Sequence, residues 1–391
     1  MTDASPIADL HAATADLDPP LAALDLTAVR ANAADLVRRA RGVPIRVASK
    51  SVRCRAVLEE VLGSGLTAQG GFAGIMSYSL REALWLAGLG ARDILLGYPS
   101  VDRGALNELA ADATLLDSIT LMVDDVAQLD LIRSAVGATV SPRVCLDVDA
   151  SLRIGPLHLG VRRSPIRTPE QAEQLARVAR DRGFRVVGVM TYEAQIAGLP
   201  DTNPAVRVVK RLSAKEIGAR REQVLDAVRS VAGALEIVNS GGSGSIEVSV
   251  SAPEVTEVTA GSGLYVPTLF DGYRAFTPRP ALYFALPVLR HPAAGIATVF
   301  AGGYIASGPA GASRVPKPVW PKGLRLIGTE GAGEVQTPFT GATRLAIGDR
   351  VWMRHAKAGE LCERFDRLHV VDADGRRTAV PTYRGEGRNF G

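Results

Sequence analysis

The sequence predicts an α/β fold: a closed (β/α)8 TIM barrel followed by a C-terminal β-rich domain. Three observations carry the prediction. Eight short apolar runs, rich in β-branched residues and bounded by Gly, Pro or Asp, punctuate the first two thirds of the chain. Ala-, Leu- and Arg-rich segments of helical length lie between them. From residue 275 onward the texture changes to Pro- and Gly-punctuated stretches with short apolar runs. Continuously apolar strands alternating with amphipathic helices indicate a parallel sheet covered on its faces. Eight such units over about 250 residues fit a closed barrel better than an open doubly wound sheet, which is the alternative.

The elements follow in order. The runs Ile45 to Ser49, Leu66 to Gln69, Asp93 to Leu96 and Ile119 to Val123 read as the first four strands, and Arg143 to Val148, Val186 to Thr191, Glu236 to Asn239 and Thr256 to Thr259 as the last four. Val52 to Leu62, Ser79 to Ala87, Pro169 to Arg182 and Ala214 to Val231 read as helices between them. Beyond the barrel, Ala281 to Leu289, Ile296 to Phe300, Leu324 to Gly328, Arg350 to Met353 and Leu368 to Val371 read as strands. The Gly/Pro-punctuated segment Gly302 to Gly323 reads as a long loop. The domains expected are therefore an N-terminal segment, 1–25, packing on the C-terminal domain; a barrel, 26–274; and a β-rich domain, 275–391.

Composition narrows the function classes. With 391 residues, 47% hydrophobic and 22% charged, the chain has material for a large core, which excludes disorder as its main theme. A net charge of +4 from 45 basic and 41 acidic residues gives no dedicated nucleic-acid-binding arm. Apolar stretches are interrupted well short of the roughly 20 residues a membrane helix needs. The first residues, MTDASPIADLHAATADLDPP, lack the basic flank and apolar run of a signal peptide. Cys54, Cys145 and Cys362 are an odd number and far apart, which argues against a disulfide framework and for a reducing compartment, the cytoplasm by default.

The basic residues are overwhelmingly Arg; only Lys50, Lys210, Lys215, Lys317, Lys322 and Lys357 are Lys. A Lys among habitual arginines marks a place where amine chemistry needs a group able to lose its proton. Lys50 closes the first strand run, at the carboxyl end where barrel enzymes assemble their sites, and an amine there can form a Schiff base. A solvated loop lysine is the other reading. Directly after the seventh run comes Asn239-Ser240-Gly241-Gly242-Ser243-Gly244-Ser245, and after the eighth Gly261-Ser262-Gly263-Leu264-Tyr265. Glycines let backbone N–H groups approach an anion and serines add donors, at the two loops where barrels commonly grip phosphate. A flexible turn is the bland alternative. A lysine facing a phosphate cup points to pyridoxal phosphate, whose aldehyde needs the amine and whose phosphate needs the cup.

Ala48-Ser49-Lys50, Met190-Thr191-Tyr192-Glu193, Gly241-Gly242-Ser243-Gly244, Gly263-Leu264-Tyr265 with Asp271, and the stretch Gly348-Asp349-Arg350-Val351 through His355 together resemble the D-threonine aldolase and D-serine dehydratase group of alanine-racemase-like, fold-type III pyridoxal phosphate enzymes. The resemblance covers nearly the whole chain. It implies Lys50 as the Schiff-base lysine, Ser240 to Ser245 with Gly263 and Tyr265 around the phosphate, Arg153 near the cofactor ring, with Arg162 and Arg163 close by in the sequence, and Tyr192 and His355 beside Lys50 as groups that move protons. It also implies a small amino-acid substrate and a homodimer. Two departures matter. The group carries His-x-Cys or His-x-Asp near its C-terminus for a divalent metal, whereas this chain has His355-Ala356-Lys357, and a protonated lysine is a poor ligand. Either no metal is bound or His355 holds it with Glu360 or Cys362; Lys357 would otherwise stand as a fixed positive charge that polarises a substrate hydroxyl. After the Schiff-base lysine the group commonly has Thr-His, here Ser51-Val52, so one acid/base candidate is missing.

The expected function is accordingly a pyridoxal phosphate lyase acting on a small D-3-hydroxy amino acid, by retro-aldol cleavage or by elimination and deamination. A racemase is the nearest competitor, and it needs a second acid/base group opposite Lys50. Two readings come from other classes: a non-catalytic pyridoxal phosphate carrier, which needs no large second domain, and a barrel binding another phosphorylated ligand, from which no chromophore would copurify.

Overall fold

The computed structural model describes residues 6–309 and 311–390; residues 1–5, within the expected N-terminal segment, lie outside them. Eight parallel strands, Ile45–Ala48, Phe72–Ser77, Ile94–Leu96, Ile119–Val123, Arg143–Val148, Arg185–Thr191, Ile237–Ser240 and Glu257–Ala260, pair in sequence. The first strand pairs the eighth through Ile45↔Val258 and Val47↔Ala260, and the second through Ile45↔Phe72 and Val47↔Ile75, so the sheet closes into a barrel. The apolar runs form strands because both faces are covered: every residue of Ile119–Val123 and of Glu257–Ala260 is buried. The helix Pro169–Asp181 shows the complementary logic. Ala172, Leu175, Ala176 and Ala179 recur on one face and are buried, while Thr168 and Gln171 form a capping box with Pro169 in the first turn.

The structure corrects the reading in two places. The second barrel strand is Phe72–Ser77; of the expected Leu66 to Gln69 run, only Ala68–Gln69 is a strand, a two-residue antiparallel neighbour of Ala73 and Phe72. The expected loop from Gly302 to Gly323 holds the strand Lys317–Trp320, which pairs with Arg350–Arg354. Pro316, Pro318 and Pro321 disguise it, and a strand paired on one side tolerates proline where an inner strand does not.

Beyond the barrel, Leu282–Ala293 pairs antiparallel with Ile296–Phe300 and with Arg350–Arg354. The strand Leu21–Asp25 belongs to this second sheet. It lies between Leu282–Ala293, antiparallel, and Arg367–Val371, parallel. Ile7 and Leu10 of the helix Pro6–Ala13 pack with Leu21, Tyr283 and the fully buried Trp352. The main core is continuous from the barrel (Val47, Leu146, Val189) into the second sheet (Phe284, Val351, Leu368). Among the described residues no helix is long and apolar enough to cross a membrane, and Cys54, Cys145 and Cys362 are all buried free thiols.

Candidate active site

Lys50 sits in a single 3-10 turn, Ser49–Ser51, at the carboxyl end of the first barrel strand. Ser49 Oγ donates to the Met76 carbonyl (3.0 Å) and ties the turn to the second strand. From the other side, Gly359 presses on it with φ +100, and a Cβ there would stand 2.1 Å from the Lys50 carbonyl oxygen. Only glycine fits such an approach. The turn that carries Lys50 is thus clamped between the barrel and the loop that follows the strand Arg350–Arg354. That loop is itself held by Thr268 N–H donating to the His355 carbonyl (3.0 Å) and Leu269 N–H to the Ala356 carbonyl (3.2 Å).

The Lys50 ammonium projects into a cavity at the barrel mouth and donates to Tyr98 Oη at 2.5 Å. Tyr98 and Tyr192 share the Arg163 guanidinium, which lies 5.5 and 5.3 Å from their ring centroids. Burial pushes the Tyr98 hydroxyl up, but the charges of Lys50 and Arg163 and the Lys50 hydrogen bond outweigh it, so its pKa falls below the ordinary phenol value. For Tyr192 burial wins over the same two charges, and its hydroxyl stays protonated.

Across the cavity lies the Gly/Ser loop. Gly241, Gly242 and Ser243 line the wall with Gly261 and Ser262 from the loop after the eighth strand. Ser243 Oγ accepts from the N–H groups of Gly263 (2.9 Å) and Gly261 (3.2 Å), fastening the two loops together. The N–H groups of Ser243 and Ser262 have no protein acceptor among the described residues. Ser240, Gly244 and Ser245 do not line the cavity; Ser240 and Ser245 bond to Glu193 behind its wall. The carboxylate of Glu193, fully buried, holds it: Oε2 accepts from Ser240 Oγ and Gly241 N–H, both at 3.2 Å, and Oε1 from Ser245 Oγ (3.2 Å) and Ser249 Oγ (2.6 Å). Arg221, buried on the long helix Pro204–Ala232, donates to Ser240 Oγ (3.0 Å) and Thr191 Oγ1 (3.1 Å).

Three more expected residues stand elsewhere. Arg153 lies in the hairpin Leu152–Ile154/Leu157–Leu159, half exposed and paired with Asp149 (2.8 Å), away from the cavity wall; Arg163 takes the place beside Lys50. Tyr265 is a core residue whose hydroxyl donates to the Val52 carbonyl (3.0 Å). His355 is buried behind the cavity, lining a small separate void with Tyr304 and Glu360. Neither ring nitrogen has a partner, and burial, with Arg354 adjoining, lowers its pKa to about 3, so it is neutral. Its neighbour Lys357 is the residue that reaches the outer cavity, with Lys50, Arg163 and Glu360. The donor set does not fit a divalent metal. Among the described residues no three His, Cys, Asp or Glu side chains converge, and burial pushes the Cys362 thiol far up. Sequence reasoning passed over Tyr98, noted Arg163 only as a neighbour of Arg153, and gave Glu193 no role, because nothing in their local sequence marks them; only barrel closure brings them to Lys50 and the cup.

The donor set does fit pyridoxal phosphate. An amine, held by Tyr98 alone, stands at one end of the cavity, and two backbone N–H groups without a protein acceptor among the described residues stand at the other, in a loop too close-packed to be a flexible turn.

Comparison with known proteins agrees in fold. No curated protein matches the sequence. Among solved structures, D-threonine aldolase from Filomicrobium marinum superposes with a TM-score of 0.78 at 20% identity, covering 94% of this chain and 95% of its own. D-threo-3-hydroxyaspartate dehydratase from Delftia sp. HT23 gives 0.73 at 23%, covering 94% and 97%. Alanine racemase from Clostridium difficile 630 gives 0.63 at 14%, covering 94% and 99%. The profile of the family described as alanine racemase, N-terminal domain, matches residues 24–268, more than half of the chain, spanning the Lys50 turn and both loops of the cup. The chain belongs to that alanine racemase N-terminal domain family.

Proposed function

We propose that the chain is a pyridoxal phosphate lyase acting on a small D-3-hydroxy amino acid. One observation carries the reading: the Lys50 amine stands across a single cavity from a cup whose Ser243 and Ser262 N–H groups await an acceptor. An aldehyde and a phosphate are their chemical complements. When bound, pyridoxal phosphate supplies a conjugated ring that draws electrons from a bond at the amino acid Cα. Lys50 Nζ would hold its aldehyde, and Ser243 and Ser262 its phosphate. The aldolase and dehydratase named among the structural neighbours favour the lyase over the racemase. A small amino acid as partner and a homodimer belong to the same proposal.

The chain's own groups divide the remaining work. Lys50 Nζ would take or return the proton at the substrate when pyridoxal phosphate is bound. Tyr98 Oη, hydrogen-bonded to Nζ and lowered in pKa, restores the amine to its working protonation state. Tyr192, kept neutral by burial, orients as a donor, and Arg163 fixes both rings and offers a cation to the substrate carboxylate.

The test is the visible spectrum of the purified protein and of Lys50→Ala after incubation with pyridoxal phosphate, followed by D-threonine. A yellow chromophore, reducible by borohydride and absent from Lys50→Ala, is expected. Release of glycine and acetaldehyde indicates cleavage, and release of ammonia with 2-oxobutanoate indicates elimination. A protein that stays colourless overturns the cofactor reading, and racemisation of D-alanine with neither product overturns the lyase.

A further inference from the structure

The outer cavity carries more positive charge than a neutral amino acid can answer. Its walls bear Lys50, Arg53, Arg163 and Lys357. Arg53 is matched by Glu363 at 2.7 Å. Lys50 is committed to the amine chemistry. Arg163 and Lys357 have no carboxylate within ion-pair distance among the described residues. Glu360 is the one carboxylate on this wall among the described residues, and its Oε1 accepts from Ser307 N–H at 3.2 Å instead.

Lys357 is a placed cation. The loop that carries it is pinned to the Lys50 turn by the Gly359 approach and to the barrel by the Leu269 N–H bond to Ala356. Its Nζ donates to the Ser307 carbonyl (3.0 Å) and Ser307 Oγ (3.3 Å), which leaves one of the ammonium's three donors without a protein acceptor among the described residues. With the phosphate of pyridoxal phosphate taken by the Ser243 and Ser262 cup, an amino-acid substrate adds one α-carboxylate, enough for one of the two unmatched cations. A half-buried cation left without a countercharge is costly, and a substrate that supplies the countercharge binds better for it.

Resting on the pyridoxal phosphate reading above, we propose that Lys357, with Ser307, receives an anionic group on the substrate side chain: the preferred 3-hydroxy amino acid carries a second acid, a carboxylate or a phosphate, and the C-terminal domain selects it.

The experiment uses the pyridoxal phosphate-loaded protein, wild type, Lys357→Gln and Lys357→Arg. Perturbation of the visible spectrum is titrated with D-aspartate, O-phospho-D-serine and D-alanine, and kcat/KM is measured on D-3-hydroxyaspartate and D-threonine. The expected result is half-saturation by one of the two acidic probes at least tenfold below that by D-alanine. Which acid responds identifies the group. In Lys357→Gln the ratio of kcat/KM for the acidic over the neutral substrate falls at least tenfold through KM, and Lys357→Arg restores most of it. Equal titration by all three probes overturns the proposal, as does an equal loss on both substrates in Lys357→Gln, which would assign Lys357 to the shared hydroxyl. A protein with no chromophore fails the cofactor reading itself, and a chromophore that answers D-alanine as well as the acids fails only this one.

Discussion

Replacing Glu193 by Gln tests whether one buried carboxylate holds the cup. The side chain keeps its shape, yet the four donors that now converge on two charged oxygens meet one neutral oxygen and one NH2 group. The serine hydroxyls can turn to accept, whereas Gly241 N–H cannot, so the amide oxygen stays with Ser240 and Gly241 and the Ser245 and Ser249 bonds reverse. Hydrogen bonds to a charged acceptor contribute about 1.5–3 kcal/mol and neutral ones about 0.5–1.5. Removing the charge also removes a desolvation cost. The net loss expected is about 2–4 kcal/mol of folding free energy. If half of it falls on the loop that faces the ligand, pyridoxal phosphate affinity drops about 5- to 30-fold, at 1.4 kcal/mol per tenfold. Urea unfolding of the cofactor-free protein by circular dichroism and a pyridoxal phosphate titration read by absorbance measure the two quantities. Ser249→Ala, which removes one bond outside the cavity, is expected to cost about 1 kcal/mol. A Glu193→Gln protein within 0.5 kcal/mol of wild type on the scale set by ordinary surface changes, with affinity changed by less than about twofold, would refute the reasoning.

Tyr98→Phe removes the hydroxyl that accepts from Lys50 Nζ; turnover is expected to fall about 10²- to 10⁴-fold with the chromophore retained, and undiminished turnover would exclude Tyr98 from proton handling. Gly359→Ala places a Cβ 2.1 Å from the Lys50 carbonyl at a left-handed φ, so stability should fall by more than about 1 kcal/mol and cofactor affinity with it; thermal melts and the same titration check both. His355 is held at about 3 against an ordinary 6.5, so the unfolded chain binds the extra proton; its contribution is whole above pH 6.5 and is lost as pH falls from there towards 3, at about 1.4 kcal/mol per unit. Replacing it by Gln should flatten the stability profile over that window, and parallel profiles for the two proteins between pH 6.5 and 5 would contradict this.

The barrel was legible because buried parallel strands need apolar side chains on both faces, and seven of the eight runs say so locally. The second strand escaped notice because Gly70 and Gly71 precede it and Gly74 interrupts it. Gly74 adopts φ +73 under Arg46 and Asp93, where a Cβ would stand 2.5 Å from the guanidinium. Arg46, buried in an apolar run, pairs with Glu257 (2.6 Å) and Asp93 (2.9 Å), partners that only closure supplies. Lys50 and the Gly/Ser loop could be read because their spacing relative to strand ends is itself local. Arg153 and Arg163 could not be told apart, since the choice depends on which side of the hairpin at 152–159 faces the mouth. Nor could the sequence reveal that Tyr265 turns inward to Val52 or that His355 stands one layer behind Lys357.

The strand Leu21–Asp25 has a consequence for how the molecule is made. It leaves the ribosome before any barrel strand, yet its two neighbours are Leu282–Ala293 and Arg367–Val371. At roughly 5–20 residues per second it waits tens of seconds, with both edges unpaired, while the barrel forms downstream. The last strands to emerge complete the sheet around the first. A chain that stops before residue 367 therefore lacks the Arg367–Val371 neighbour and leaves one edge of the buried Leu21–Asp25 strand unpaired, a ready template for pairing with another chain.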